Sequence, residues 1–277
     1  MTHPDRRFDR SETDPTCREM RRDSRAQGVS DPDDLPFILY PPGAKAAVLL
    51  VHGFTATPWE MSPLAEFLAD SGIASLAVRL PGHGTSPEDL ADRRLEEWLS
   101  AVQDGYNKLS EDFQSVYGMG MSTGCLLLLA KAETNPFCGL VLFSPYLRVL
   151  HRLAPYARWL KWIQPYQLKT PGDGPETRYY NRRPLSGIHQ INRLLRSVRS
   201  RLPHIVCPVL AFNGKGDQTV DIDSGHELVD RLGSTVKVHK LYGPDVPHVL
   251  TREDNPFRAA MFAQAVTFVQ GLENPGN

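Results

Sequence analysis

The chain has 277 residues, 41% of them hydrophobic and 23% charged, which is enough to bury one substantial core and is the composition of an ordinary soluble globular protein. A formal net charge of −1 removes any global electrostatic argument for nucleic acid. Cys17, Cys125, Cys138 and Cys207 lie far apart with no CxxC or Cys/His cluster, so neither a zinc site nor a disulfide framework is expected, and the thiols read as those of a cytoplasmic protein.

Residues 1 to about 35 are densely charged, with nine acids and seven arginines before Leu35, and are too poor in apolar side chains to form a packing face. A mobile extension is expected there, and no apolar stretch of the length a secretory signal needs is visible. The domain proper is placed at residues 36–277. Phe37 to Tyr40 and then Ala46 to Val51 are apolar without alternation, as in strands buried on both faces of a parallel sheet. Trp59 to Ser71 reads as a helix, Ile73 to Leu80 as a strand and Leu95 to Leu109 as a helix. Ser115 to Met119 reads as a strand, Thr123 to Glu133 as a helix and Gly139 to Phe143 as a strand.

An insertion of about residues 146–207 interrupts this order. Val209 to Phe212 (strand), Ser224 to Leu232 (helix), Val236 to Leu241 (strand) and Ala259 to Leu272 (helix) then resume it. Regular alternation of strand and helix predicts an α/β fold, a mostly parallel sheet flanked by helices with a small helical cap inserted, and chemistry in loops beyond the carboxyl ends of the strands.

Gly120-Met121-Ser122-Thr123-Gly124 fits GxSxG between a predicted strand and a predicted helix. In that context the glycines permit a sharp turn that presents Ser122 above the sheet, with the free N–H groups of the following helix aimed at developing negative charge. A serine hydroxyl needs a base within hydrogen-bond reach and a third group to hold that base. His248, in the loop Gly243 to His248 after the last strand, is the candidate base. Asp217, after the glycine turn Asn213-Gly214-Lys215-Gly216, is the candidate acid; Asp221 is the second choice and Asp223 a further competitor, either of which an N-cap role would also explain. Phe54 and Thr123 are the candidate oxyanion donors through their backbone N–H groups. His52 reads as a brace for that loop in preference to a reacting group.

The motifs Val51-His52-Gly53-Phe54-Thr55-Ala56-Thr57-Pro58, Arg79-Leu80-Pro81-Gly82-His83-Gly84-Thr85 and Gly120 to Gly124, followed by Asp217 and His248, resemble those of bacterial carboxylesterases and monoacylglycerol lipases of the α/β-hydrolase superfamily. The resemblance runs from about Pro36 to the C-terminus. It implies a serine carboxylic-ester hydrolase acting on acyl esters such as monoacylglycerols or medium-chain esters, with nucleophile, acid, base and oxyanion donors at the positions above and no cofactor. The residue after the nucleophile is commonly Met or Gln in that family and is Thr123 here, which bears on pocket shape. Hydrolysis of a thioester, amide or C–C bond, or a non-catalytic ligand-binding role, are the alternatives.

Between Tyr146 and Cys207 stand 12 Lys/Arg against two acids, Asp173 and Glu176, together with seven aromatics. Ile188, Ile191, Leu195, Val198 and Leu202 form one helical stripe, and Leu147, Leu150, Ala154, Ala157 and Leu160 a second that Pro155 interrupts. Basic faces beside apolar ones raise peripheral contact with anionic lipid as an expectation. Nucleic acid is not expected, since no recognition motif accompanies the charge.

Overall fold

A computed structural model of the chain describes residues 8–151, 156–168 and 178–273. The strands are β1 (Phe37–Leu39), β2 (Ala46–Val51), β3 (Ala74–Val78), β4 (Ser115–Met121), β5 (Leu140–Phe143), β6 (Tyr166–Leu168), β7 (Arg182–Pro184), β8 (Val209–Gly214) and β9 (Lys237–Tyr242). Seven of them form one sheet in the order β1-β3-β2-β4-β5-β8-β9, parallel except for β1, which runs antiparallel to β3. The short β6 and β7 pair separately as an antiparallel hairpin in the cap.

The helices are α1 (Pro15–Ala26), α2 (Ser62–Asp70), α3 (Pro87–Asp92), α4 (Leu95–Asp112), α5 (Thr123–Lys131), α6 (Ala157–Leu160), α7 (Leu185–Arg201), α8 (Ile222–Asp230) and α9 (Arg258–Glu273). Every residue of β2 is buried. Ala47, Leu49 and Val51 face one core with α4, α5, α7 and α8, while Val48 and Leu50 face the other with α2 and α9. The unbroken apolar run is thus a strand covered on both sides. Helix α5 carries Leu126 to Leu129 and is buried from Thr123 to Ala130, lying between the sheet and the pair α4 and α7. Each such leucine contributes on the order of 2 kcal/mol of burial, which fixes the helix that starts immediately after Ser122.

Residues 8–34 are packed against the sheet edge, where the composition predicts a mobile extension. Asp9 bridges Leu39, and Tyr40 N–H donates to Phe8 O at 2.9 Å, so the chain continues the β1 edge of the sheet. Helix α1 starts at the N-cap Asp14, whose side chain accepts Cys17 N–H. The helix is then held mainly by polar contacts to distant residues. Arg21 Nη1 donates to Pro36 O at 3.0 Å, Lys108 pairs with Asp14 at 3.2 Å, and Arg79 Nε donates to Ser24 Oγ at 2.9 Å. A segment poor in apolar residues docks here because its charges find buried or half-buried partners.

In the cap, α7 presents the expected stripe, with Ile191, Leu195, Val198 and Leu202 buried. The second stripe does not form one helix. Val149 bridges Val220, Leu150 N–H donates to Thr219 O and Asp221 N–H to Arg148 O, so the chain leaves β5 extended, and among the described residues of this stretch only α6 is an α-helix. Ala154 and Pro155 lie outside the described residues. No helix among the described residues is long and apolar enough to cross a membrane.

Candidate active site

Ser122 stands between β4 and α5 with φ 53° and ψ −111°, a strained conformation for a residue with a side chain. The two glycines of the motif make that turn fit. A Cβ on Gly120 would lie 2.6 Å from the Gly124 carbonyl carbon, and one on Gly124 would lie 2.1 Å from Val51 O. Ser122 N–H donates to Phe143 O at 2.8 Å, tying the turn to the neighbouring strand.

The structure brings Ser122, His248 and Asp217 together. His248 Nε2 lies 2.9 Å from Ser122 Oγ, and His248 Nδ1 lies 2.5 Å from Asp217 Oδ2. The other carboxylate oxygen of Asp217 accepts Thr219 N–H at 2.7 Å and Val220 N–H at 3.0 Å, and the side chain is fully buried. With an acceptor opposite Nδ1, the imidazole carries its proton there, and the Nε2 lone pair faces the serine hydroxyl. The arrangement can withdraw the Ser122 proton and stabilise the imidazolium that results.

Asp221, the second choice, is engaged elsewhere. It accepts Arg148 Nε at 2.8 Å and Asp223 N–H at 3.0 Å as the N-cap of α8, and the Arg148 hydrogen bond holds its carboxyl below the usual range. Asp223 lies in the first turn of the same helix.

Phe54 and Thr123 line the same cavity as Ser122, and the backbone N–H of neither donates to a backbone acceptor among the described residues. His52 is fully buried and braces this loop. Its Nε2 accepts Leu80 N–H at 3.1 Å, so the proton is on Nδ1, which donates to Gly53 O at 2.9 Å. Burial pushes its pKa down to about 4, keeping the ring neutral.

Residues 48–276 match the alpha/beta hydrolase family. The chain belongs to that family. It is 34% identical over 205 residues to a thermostable monoacylglycerol lipase of Bacillus sp. (strain H-257), covering 72% of this chain and 81% of that one. It is 27% identical over 215 residues to a carboxylesterase of Bacillus subtilis (strain 168), covering 76% and 87%. Among solved structures, a metagenome-derived lipolytic enzyme superposes with a TM-score of 0.77 at 24% identity, over 86% of this chain and 98% of the other, a likeness of fold.

In this hydrolase the cavity above Ser122 has a volume of about 630 Å³. The cap roofs it with Tyr179, Ile188 and Ile191, while Gly53, Phe54 and Glu60 close one wall and Val149 and Leu150 another. Cys125 lies beneath the turn, its thiol donating towards Gly120 O and Phe143 O, and burial raises its pKa far above the ordinary value, which keeps the thiol protonated.

Three further residues of the site escaped sequence reasoning. Ser144 Oγ donates to His248 O at 2.6 Å and so holds the backbone of His248. Tyr146, fully enclosed, places its hydroxyl 3.2 Å from Thr123 Oγ1. Glu60, in a 3₁₀ turn at Pro58–Met61, is a buried carboxylate in the cavity wall. Ser144 and Tyr146 follow the end of a predicted strand, which is a usable signal; Glu60 carries none.

Proposed function

We propose that this alpha/beta hydrolase is a serine carboxylic-ester hydrolase acting on acyl esters such as monoacylglycerols or medium-chain esters, through Ser122, His248 and Asp217. The observation that carries the reading is the unbroken line from Asp217 Oδ2 through both nitrogens of His248 to Ser122 Oγ, at 2.5 and 2.9 Å, opening into a cavity.

In the first half-reaction His248 Nε2 takes the proton of Ser122 Oγ as the oxygen bonds to the ester carbonyl carbon. Phe54 N–H and Thr123 N–H receive the oxyanion, and His248 returns the proton to the alcohol as the C–O bond breaks. Water, deprotonated by the same nitrogen, then attacks the acyl-Ser122 ester, and His248 returns that proton to Ser122 Oγ as the acyl C–Oγ bond breaks and the acid leaves. Ile188, Ile191, Val149 and Leu150 give the cavity an apolar side that suits an acyl chain. The two bacterial relatives, named as a monoacylglycerol lipase and a carboxylesterase, support the same substrate class.

Hydrolysis of p-nitrophenyl esters from acetate to palmitate, and of monoacylglycerols, by wild type and Ser122→Ala tests this. A chain-length optimum lost in the variant supports the reading, whereas no Ser122-dependent turnover of any ester rejects it.

The cap also offers a surface for the membrane or aggregate in which such substrates reside. Trp159, Trp162 and Ile163 are 66, 81 and 84% exposed, and Arg158 and Lys161 sit over the two indoles at 5.1 Å. Aromatic rings interleaved with cations favour an anionic lipid interface. Trp162→Ala is expected to slow hydrolysis of substrate held in anionic vesicles by about 5-fold or more, with the gap closing at high salt. Equal rates on anionic and zwitterionic vesicles at all salt concentrations contradict the contact.

A further inference from the structure

We propose that Glu60 is a positioning residue for the oxyanion donor Phe54, and that the N-terminal segment holds Glu60 in place through the cap residues Arg178 and Tyr179. The inference rests on the reading of Ser122 as an ester-cleaving nucleophile.

The peptide N–H that would meet the oxyanion belongs to Phe54, and its direction is set by the backbone angles of Gly53. Glycine has the widest backbone freedom of any residue, so this orientation must be imposed from outside. Both sides of Gly53 are pinned. On the C-terminal side, Gly53 O accepts from His52 Nδ1 at 2.9 Å and from Ala56 N–H at 3.3 Å. A planar trans peptide then directs Phe54 N–H the opposite way. On the N-terminal side, Gly53 N–H donates to Glu60 Oε2 at 2.7 Å. That oxygen would lie 3.3 Å from a Cβ on Gly53, which in turn would lie 3.6 Å from Ser122 Cβ, so the carboxylate grips the loop beside the nucleophile.

Glu60 is only 4% exposed, and a buried carboxylate is costly unless its oxygens are occupied. Its Oε1 accepts the Tyr179 hydroxyl at 2.9 Å. Next to Tyr179, Arg178 pairs with Asp31 and Asp33, each at 3.1 Å, and its guanidinium lies 5.2 Å from the ring centre of Trp59. Asp34 completes the link from the same segment, accepting the Thr57 hydroxyl at 2.6 Å. The three aspartates lie outside residues 48–276, the stretch that matches the family, whereas Glu60, Arg178 and Tyr179 lie within it.

The test measures kcat and KM for p-nitrophenyl butyrate, and inhibition by an alkyl boronic acid whose tetrahedral adduct on Ser122 places an oxygen against Phe54 N–H. The variants are Glu60→Ala, Glu60→Gln, Tyr179→Phe, Arg178→Ala and the double variant Glu60→Ala/Arg178→Ala, all in the full chain. Losing an oxyanion donor outright costs ~10²- to 10³-fold, so its misalignment in Glu60→Ala is expected to lower kcat by ~10- to 100-fold. KM stays within about 3-fold and boronic acid affinity weakens in parallel with kcat, a pairing that a merely structural role would not produce. Glu60→Gln, whose amide oxygen still accepts Gly53 N–H, recovers most of the loss. Tyr179→Phe and Arg178→Ala lower kcat by about 3- to 10-fold, and Arg178→Ala adds little on top of Glu60→Ala because both act through one linkage.

A kcat within about 3-fold of wild type in Glu60→Ala overturns the proposal. So does a loss confined to KM with boronic acid affinity unchanged, which would make Glu60 a substrate contact. If Glu60→Ala does not fold, Tyr179→Phe decides, and an unchanged kcat there overturns it. Ester turnover by wild type that disappears in Ser122→Ala is scored separately, so failure of this proposal and failure of the assigned activity are told apart.

Discussion

Asp217 and Asp221 stand four residues apart on one loop, yet only Asp217 reaches His248, at 2.5 Å, while Asp221 turns outward to Arg148 and the start of α8. The division of labour follows from the backbone. Thr219 and Val220 N–H groups fold back onto Asp217 Oδ1, and Val149 pairs with Val220, which drives Asp221 to the other side. Asp217→Asn is expected to lower kcat by ~10⁴-fold, because an amide cannot enforce the Nδ1–H tautomer. Asp221→Asn keeps the N-cap and loses only a half-exposed ion pair, so activity stays within about 3-fold and stability within about 1 kcal/mol. Steady-state kinetics and urea unfolding on both variants check the pair.

The close approach of Gly124 to Val51 predicts a large response to one methyl group. Gly124→Ala must displace backbone, since its Cβ would meet Val51 O at 2.1 Å. A loss of about 3 kcal/mol in urea unfolding is expected, with kcat reduced more than stability alone explains because the turn that presents Ser122 shifts.

His83 packs edge-on against His52, Phe54 and Trp98, and its Nε2 is buried with no hydrogen-bond partner among the described residues. Burial holds His83 well below its usual pKa of 6.5 and His52 at about 4. In the unfolded chain both protonate near 6.5, so there the unfolded state binds protons that the folded state refuses. Their contribution to stability is therefore intact above about pH 6.5 and is lost as the pH falls towards 4, by on the order of 3 kcal/mol for His52. His83→Phe keeps the packing and removes one titrating group. Urea midpoints measured from neutral to acidic pH should fall less steeply in the variant than in wild type; an identical slope contradicts the assignment.

The docking of the N-terminal helix can be tested at Arg21. Arg21 is nearly buried between Pro36 O and Glu12, and Arg21→Ala removes both hydrogen bonds. A loss of about 2 kcal/mol is expected, together with faster proteolytic cleavage within residues 8–34. Cleavage of wild type in this segment at the rate of an unfolded peptide would contradict the docking.

What the sequence reveals and conceals follows from how far each contact reaches. The Ser122 turn is legible because glycine spacing, strand and helix are all local, and Asp217 and His248 because each follows a strand with a short glycine-containing loop. The stripe of α7 is legible because one apolar face is buried. Helix α1 is not, since it is held by Arg79 and Lys108 from distant elements and composition alone reads it as a solvated tail. The Leu147 to Leu160 stripe misleads because three backbone hydrogen bonds or bridges to residues 219–221 draw its first part into extended chain. Glu60 is invisible because its meaning lies in Gly53 and in Tyr179, 119 residues away.

Whether Ser122 carries the acyl group is decided by quenching the reaction with a p-nitrophenyl ester in its first turnovers and locating the added mass by peptide mass spectrometry. One acyl group is expected on the peptide containing Ser122, absent after prior fluorophosphonate labelling and absent in Ser122→Ala. Ester turnover that persists in Ser122→Ala at the wild-type rate, or an acyl group on any other residue, would contradict it.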